Sequence, residues 1–338
     1  MTVRVAVNGF GRIGRNFLRV LHSSQLDVEI VAINDLVAAE ANAHLLRYDS
    51  THGRFAGSVA VGENSLVVDG KEIAVFAERD PSQLPWGDLG VDVVVESTGR
   101  FTKRAQAYAH IDAGARRVVV SAPADDADAT FVVGVNDDTY DPARHVVVSN
   151  ASCTTNCFVP MVKVLDDAFE LRQGLMTTVH AYTNDQELLD LARDNMRRAR
   201  AAAVNIVPTA TGAARATDLV LAAMKGRLDG VSLRVPVQDG SITDFTAVLG
   251  AQVDAEEVNS AFEKAAASGP LSKVLDYTED EIVSRDIIGS PASCTFDAGL
   301  TRVVPLAEGT LVKAFGWYDN EWGYSNRLVD LVAIVGGR

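Results

Sequence analysis

The stretch Val3-Arg4-Val5-Ala6-Val7-Asn8-Gly9-Phe10-Gly11-Arg12-Ile13-Gly14 decides the fold. Val3 to Val7 is a short Val-rich run that ends in a Gly-rich turn, and Ile13 to Leu21 then repeats at helical spacing. Gly9, Gly11 and Gly14 therefore form GxGxxG between a strand and a helix. The first Gly permits a tight turn, the second lets the backbone approach a pyrophosphate, and the third lets helix pack on strand. Alone the motif is weak, because Gly-rich turns are common. Asp35 strengthens it: this acid follows a second strand, Val28–Ile33, and stands 21 residues after Gly14, where a carboxylate accepts hydrogen bonds from a ribose diol. The bland alternative is a structural glycine turn with Asp35 as a loop cap. Strand, turn, helix, strand and acid in that order favour dinucleotide binding. A 2′-phosphate beside Asp35 would meet repulsion of up to ~4 kcal/mol at 4 Å with an effective dielectric of ~20, which favours NAD over NADP. Arg12 or Arg47 would soften that preference.

Outward from this unit the first half keeps alternating. Leu66–Val68 and Ile73–Val75 flank Asp69-Gly70, a two-residue hairpin signal. Val91–Glu96, Arg117–Ser121, Phe131–Val135 and His145–Ser149 read as further buried strands, each after a turn or helical stretch. Such βαβ alternation predicts a Rossmann-type α/β domain, a parallel sheet with helices on both faces. After residue 151 the pattern changes. Met176–Tyr182, Val231–Val237, Thr243–Gly250 and Thr310–Tyr318 alternate as in an antiparallel sheet, with helices expected around Leu188–Ala203, Gly212–Met224 and Ala255–Ala267. This predicts a second, α+β domain with a mostly antiparallel sheet. Asp319–Val335 reads as a final helix.

The chemistry concentrates in Ser149-Asn150-Ala151-Ser152-Cys153-Thr154-Thr155-Asn156-Cys157. Val146 to Val148 reads as a buried strand, and Phe158, Met161, Val162 and Leu165 repeat at helical spacing. Cys153 thus stands where a strand hands over to a helix, among unpaired N–H groups and the positive end of the macrodipole. That position lowers a thiol's pKa. A drop of about two from ~8.5 makes the thiolate the major species at neutral pH. A buried structural Cys is the competing reading. A nucleophile needs a base, and His180, in a polar interruption of a strand (Thr177-Thr178-Val179-His180-Ala181-Tyr182), is the best of the six His. Taken alone, it would more often be a satisfied core His.

The bulk properties narrow the class. The chain of 338 residues is 47% hydrophobic and 22% charged, as in an ordinary globular protein with room for two domains. Its net charge of −14 argues against nucleic acid and anionic membrane as partners. No apolar run approaches the ~20 residues of a membrane span. Three Cys do not make a disulfide framework, and Cys153 and Cys157 lack the spacing of a CxxC pair, so a reducing cytoplasm is expected. Cys294 reads as structural, and no metal is expected.

SNASCTTNC, TTVHAYTNDQ, RRARAAAVNIVPTATGAA, LRVPV and WYDNEWGYSNR occur in order, and with them the chain closely resembles phosphorylating glyceraldehyde-3-phosphate dehydrogenase from Val3 to the C-terminus. The resemblance implies that Cys153 forms a thiohemiacetal with glyceraldehyde 3-phosphate and that His180 removes the hydroxyl proton. Hydride then passes to NAD, and inorganic phosphate cleaves the thioester to 1,3-bisphosphoglycerate. Thr183 and Arg234 would hold the substrate phosphate. Ser152, Thr154, Arg197, Thr211 and Gly212 would hold the attacking one. Asn320 would meet the nicotinamide carboxamide, with Arg12, Ile13, Arg79 and Ser121 lining the NAD cleft. The C-terminal helix would return to the first domain, giving an NAD-binding domain of residues 1–151 and 319–338 and a catalytic domain of 152–318. The resemblance also implies a homotetramer, with the loop around Tyr182–Arg200 reaching toward a neighbour's cofactor site.

The chain departs from that family's pattern in three places. Ala192 stands where NAD-preferring members often carry Pro, which leaves some NADP use open. Gln238-Asp239 follows RVPV where Pro with Thr or Asn is common, placing an acid at the lip of the phosphate region. Cys294 occupies a site commonly Ser. A relative acting on erythrose 4-phosphate, an enzyme that hydrolyses the thioester with water, and a scaffold that has lost catalysis are the competing readings. Joint retention of Cys153, His180, Arg197 and Arg234 disfavours the last.

Overall fold

In a computed structural model of the chain, which describes residues 2–337, two compact units form: Met1–Ala151 with Ser325–Arg338, and Ser152–Tyr324. The first is built on a nine-stranded sheet. Its order by residues is 129–130, 147–149, 117–120, 93–96, 3–8, 28–34, 71–76, 65–68 and 59–62. The first seven strands run parallel, and the last two close the edge as antiparallel hairpins. Parallel strands covered on both faces must be apolar throughout, and Val93–Glu96 and Arg117–Val120 are buried along almost their whole length. The chain leaves Val3–Asn8 toward Val28–Asn34 on one side and later returns to its other side with Val93–Glu96. The carboxyl end of Val3–Asn8 is therefore a topological switch point, the place where open α/β sheets bind ligands.

The Asp69-Gly70 hairpin forms as expected, with both residues at positive φ (49° and 79°). Phe131–Val135 is not a strand. The strand here is Ala129–Thr130, and the chain then turns. Asn136 Oδ1 accepts the Val132 N–H and Asp137 Oδ1 the Gly134 N–H, so side chains take the donors that a ladder would have used.

The second unit carries an eight-stranded mixed sheet, in the order 207–210, 228–235, 171–181, 241–249, 310–318, 294–297 and 275–278, with 302–305 also on 310–318. Most pairs are antiparallel, but Leu228–Val235 lies parallel to Leu171–Ala181, because a long crossover separates them. Ser241–Leu249 and Thr310–Tyr318 alternate strictly between buried and half-buried residues, so one face is apolar. The helix Cys153–Phe169 supplies the apolar partner, with Phe158 edge-on to Phe245 at 4.8 Å between ring centroids. Leu188–Ala203 is not a helix but a run of turns. Asn195 Oδ1 accepts the N–H groups of Arg197 and Arg198, and Asp190 Oδ1 accepts that of Ala201. These local bonds compete with the helical ladder. The last helix runs Trp322–Gly336 and is started by Asp319, whose Oδ1 accepts the Glu321 and Trp322 N–H groups. Among the described residues no helix is long and apolar enough to cross a membrane.

Candidate active site

Two sites form, one in each unit. In the first unit a pocket of about 290 Å³ opens at the switch point, lined by Asn8, Gly9, Gly11, Asn34, Asp35 and Arg79 among others. Gly9 has φ +93°, and a Cβ there would lie 2.7 Å from the Thr98 nitrogen. A Cβ on Gly14 would stand 2.3 Å from the Gly9 carbonyl oxygen, whereas one on Gly11 would meet open space. Turn, close approach and tight helix packing thus fall on the three glycines as the motif requires. Gly11 precedes the helix Arg12–Ser23 without any side-chain cap, leaving first-turn N–H groups for an anion. Asp35 Oδ2 accepts the Phe10 N–H at 2.7 Å and Oδ1 the Val37 N–H at 3.0 Å. Each oxygen keeps a lone pair for ribose hydroxyls, so the loop-cap reading and the ribose reading are compatible. Among the described residues Arg12, Ile13 and Ser121 do not line this pocket. Arg12 is paired with Asp49, and the Ser121 N–H is on the Glu96 carbonyl.

In the second unit Cys153 is the first residue of its helix. Ser152 caps it, accepting the Thr155 N–H at 3.0 Å. The Cys153 Sγ lies 3.4 Å from His180 Nε2. His180 and Arg234 are register partners in the parallel pair of strands, so the Arg234 guanidinium stands against the imidazole at Nδ1 and donates, at 3.2 Å, to the Ala181 carbonyl. That carbonyl also lies 2.7 Å from Nδ1. When Nδ1–H points to Ala181, Nε2 is free to take the thiol proton. Behind the pair, Tyr318 O–H bridges Thr154 Oγ1 at 3.0 Å and Thr178 Oγ1 at 2.7 Å, so the helix start is tied to the sheet by buried hydroxyls.

The expectation of a lowered thiol pKa needs correction. Burial pushes the Cys153 thiol up to about 11, although the Arg234 guanidinium and the Thr154 side chain and N–H pull the other way. Burial, then Arg234, push His180 down to about 3. Losing the proton to water would leave a lone anion in the site, whereas handing it across 3.4 Å to Nε2 makes a thiolate–imidazolium ion pair with no net charge. The activating element is therefore the imidazole more than the helix end.

The other site residues separate into groups. Thr183 Oγ1 donates to Asp185, Arg198 pairs with the same carboxylate, and Arg198 also donates to Thr209 Oγ1 at 3.0 Å. Desolvation works against the Asp185 carboxylate, yet the Thr183 hydroxyl and the Arg198 and Arg234 charges hold its pKa below the usual range. Arg197 is not brought to this cluster: its side chain is exposed, and Arg198 takes the inward place. The sequence reading missed Arg198, Asp185 and Thr209, because the phase of a chain of turns cannot be read from a helical pattern. Thr211 and Gly212 precede the helix Ala213–Val220, with Thr211 Oγ1 accepting the Ala213 N–H. Asn320 is buried, its Oδ1 accepting from Ser241 Oγ at 2.6 Å, and Ser241 Oγ accepts the Ala181 N–H. Ser241 thus links Asn320 to the strand end that carries His180, a role with no signal in the sequence.

Known proteins are similar to this chain over its whole length. Residues 3–104 match the family model for the glyceraldehyde 3-phosphate dehydrogenase NAD binding domain, and residues 152–320 match that for the C-terminal domain. The chain is 60% identical over 338 residues to a glyceraldehyde-3-phosphate dehydrogenase of Streptomyces coelicolor, covering all of both chains. It is 55% identical over 338 residues to that of Geobacillus stearothermophilus, covering 100% of this chain and 99% of the relative. To glyceraldehyde-3-phosphate dehydrogenase 1 of Bacillus subtilis it is 55% identical over 335 residues, covering 99% and 98%.

Proposed function

The chain belongs to the glyceraldehyde-3-phosphate dehydrogenase family, NAD-dependent oxidoreductases, and on that premise we propose that Cys153 and His180 carry its chemistry. The observation that supports this most is the 3.4 Å approach of Sγ to Nε2 at the start of a capped helix. His180 takes the thiol proton, the sulfur adds to the aldehyde carbon of glyceraldehyde 3-phosphate, and the imidazolium returns the proton to the carbonyl oxygen, giving a thiohemiacetal and a neutral His180. His180 then draws the hydroxyl proton as that carbon is oxidised to a thioester. NAD, when bound, supplies the hydride acceptor, and Gly9, Gly11, Gly14 and Asp35 fit its pyrophosphate and ribose. Inorganic phosphate attacks the thioester and the sulfur leaves, splitting one oxidation into two modest steps.

Thr183 and Arg234 are the ligands for the substrate phosphate. Ser152, Thr154, Thr211 and Gly212 are those for the attacking one, with Arg198 in the place first given to Arg197. Guanidinium forks and helix N–H groups are the donors such anions need. Asn320 holds the carboxamide, and the enzyme is a cytoplasmic homotetramer. Stopped-flow measurement of NADH formation tests the nucleophile: Cys153→Ser is expected to show no burst and a rate at least 10³-fold lower, with NAD affinity retained. Turnover within tenfold of wild type would refute it.

A further inference from the structure

Below the Gly-rich turn lies a buried chain of polar groups that the reaction does not use. The Trp86 indole N–H donates to His110 Nδ1 at 3.0 Å, and an indole is a donor only. Nδ1 is therefore an acceptor, and the ring hydrogen sits on Nε2, 3.0 Å from Glu96 Oε2. At the other end the Glu78 backbone sets the orientations. Its N–H donates to Asn34 Oδ1 at 2.8 Å, and its carbonyl accepts from Asn34 Nδ2 at 2.9 Å. Asn34 Nδ2 also donates to Asn8 Oδ1 at 2.7 Å, so Asn8 must turn its Nδ2 to Glu96 Oε2, at 2.6 Å. The Thr98 N–H and hydroxyl converge on Oε1 at 2.9 and 2.5 Å. Four donors, fixed from both ends, thus meet at residue 96, and only an acceptor-only carboxylate satisfies them.

This chain joins the carboxyl ends of the strands Val3–Asn8, Val28–Asn34, Lys71–Phe76 and Val93–Glu96 under the pocket. Asn8, Asn34, Glu78 and Thr98 themselves line that pocket. The Thr98 nitrogen that Glu96 holds is also the atom that a Cβ on Gly9 would meet most closely, so this group sets the space that only glycine fits. We propose that Glu96, with its hydrogen-bond pattern fixed by His110 and Trp86, is the positioning residue that holds the Gly9 turn and the Asn8, Asn34 and Thr98 wall in the shape the dinucleotide requires. This rests on the reading of the Gly9–Asp35 pocket as the NAD site.

The test is NAD affinity, measured by calorimetric titration of the full-length enzyme. Glu96→Gln sets an amide N–H₂ either against the Thr98 N–H or against the Asn8 and His110 donors, and His110 cannot exchange its tautomer while Trp86 donates to Nδ1, so a buried donor loses its acceptor in either orientation. The dissociation constant for NAD is expected to rise at least tenfold, while the KM for glyceraldehyde 3-phosphate changes less than twofold. Adding Trp86→Phe frees the tautomer, so the double variant is expected to bind NAD at least threefold more tightly than Glu96→Gln, although Trp86→Phe alone does not tighten binding. NAD binding by Glu96→Gln within twofold of wild type, or defects that simply multiply, would overturn the proposal. If Glu96→Gln does not fold, His110→Gln and His110→Leu carry the same contrast. The first keeps an acceptor for Trp86 and a donor for Glu96, and equal NAD affinities for the two would overturn it. Asp35→Ala separates the premise: unchanged NAD binding there would refute the pocket assignment itself, whereas weakened binding with a normal Glu96→Gln would refute only the positioning role.

Discussion

The carboxyl of Asp239 lies fully buried two residues before Ser241, at the entry to the strand Ser241–Leu249. Burial, with the Asp319 and Glu321 charges beside it, raises its pKa to about 9, so it holds a proton at neutral pH. An unfolded Asp releases that proton near ~3.9. Between these values the folded state binds one more proton than the unfolded state, so this group's stabilisation is complete below the unfolded pKa and falls away as pH rises toward 9. Asp239→Asn keeps an oxygen for the Gly240 N–H that Asp239 Oδ1 now accepts and removes the proton. Its thermal midpoint is expected to fall less than that of wild type between pH 5 and pH 9 in scanning calorimetry. Parallel curves would show that Asp239 is ionised in the fold. The sequence placed an acid at the lip of the phosphate region, and only the packing shows that it is inside.

Local signals make some elements legible and hide others. The helix Ala255–Ala267 is announced by Asp254 and Glu257, which exchange hydrogen bonds at 2.9 Å in a capping box. Asp254→Ala is expected to cost about 1 kcal/mol, lowering the thermal midpoint by about 2–4 °C with kcat unchanged. An unchanged midpoint would contradict the cap. GxGxxG and Asp69-Gly70 were legible for the same reason, because glycine at positive φ leaves a mark in the sequence. Leu188–Ala203 was not: its Leu and Met spacing imitates a helix, while Asn195 and Asp190 spend their side chains on backbone donors. The same misreading put Arg197 where Arg198 stands. His180 beside Cys153 depends on a contact 27 residues apart along the chain, and Glu96 beside His110 on separate elements. Spacing cannot show such meetings, and for the catalytic pair only family resemblance supplied the expectation.

At the scale of the whole molecule, Leu188, Leu189 and Met196 stand 85%, 79% and 77% exposed on one stretch of turns. Exposed apolar side chains on this stretch are what the proposed homotetramer would cover. Sedimentation velocity is expected to show a species four times the mass of the 36.1 kDa chain. The Leu188→Asp, Leu189→Asp double variant is expected to sediment as smaller species. A wild-type monomer at micromolar concentration would refute the assembly.

The central claim, that His180 activates Cys153 by taking its proton, is tested most directly by site-resolved iodoacetamide labelling across pH, read by mass spectrometry in wild type and His180→Asn. Wild type is expected to label at Cys153 ahead of the buried Cys157 and Cys294 at neutral pH. His180→Asn leaves the thiol only the route to water, so its labelling is expected to move upward by at least one pH unit, toward the value near 11 that burial imposes. Superimposable profiles for the two proteins, or preferential labelling of Cys157, would contradict the account.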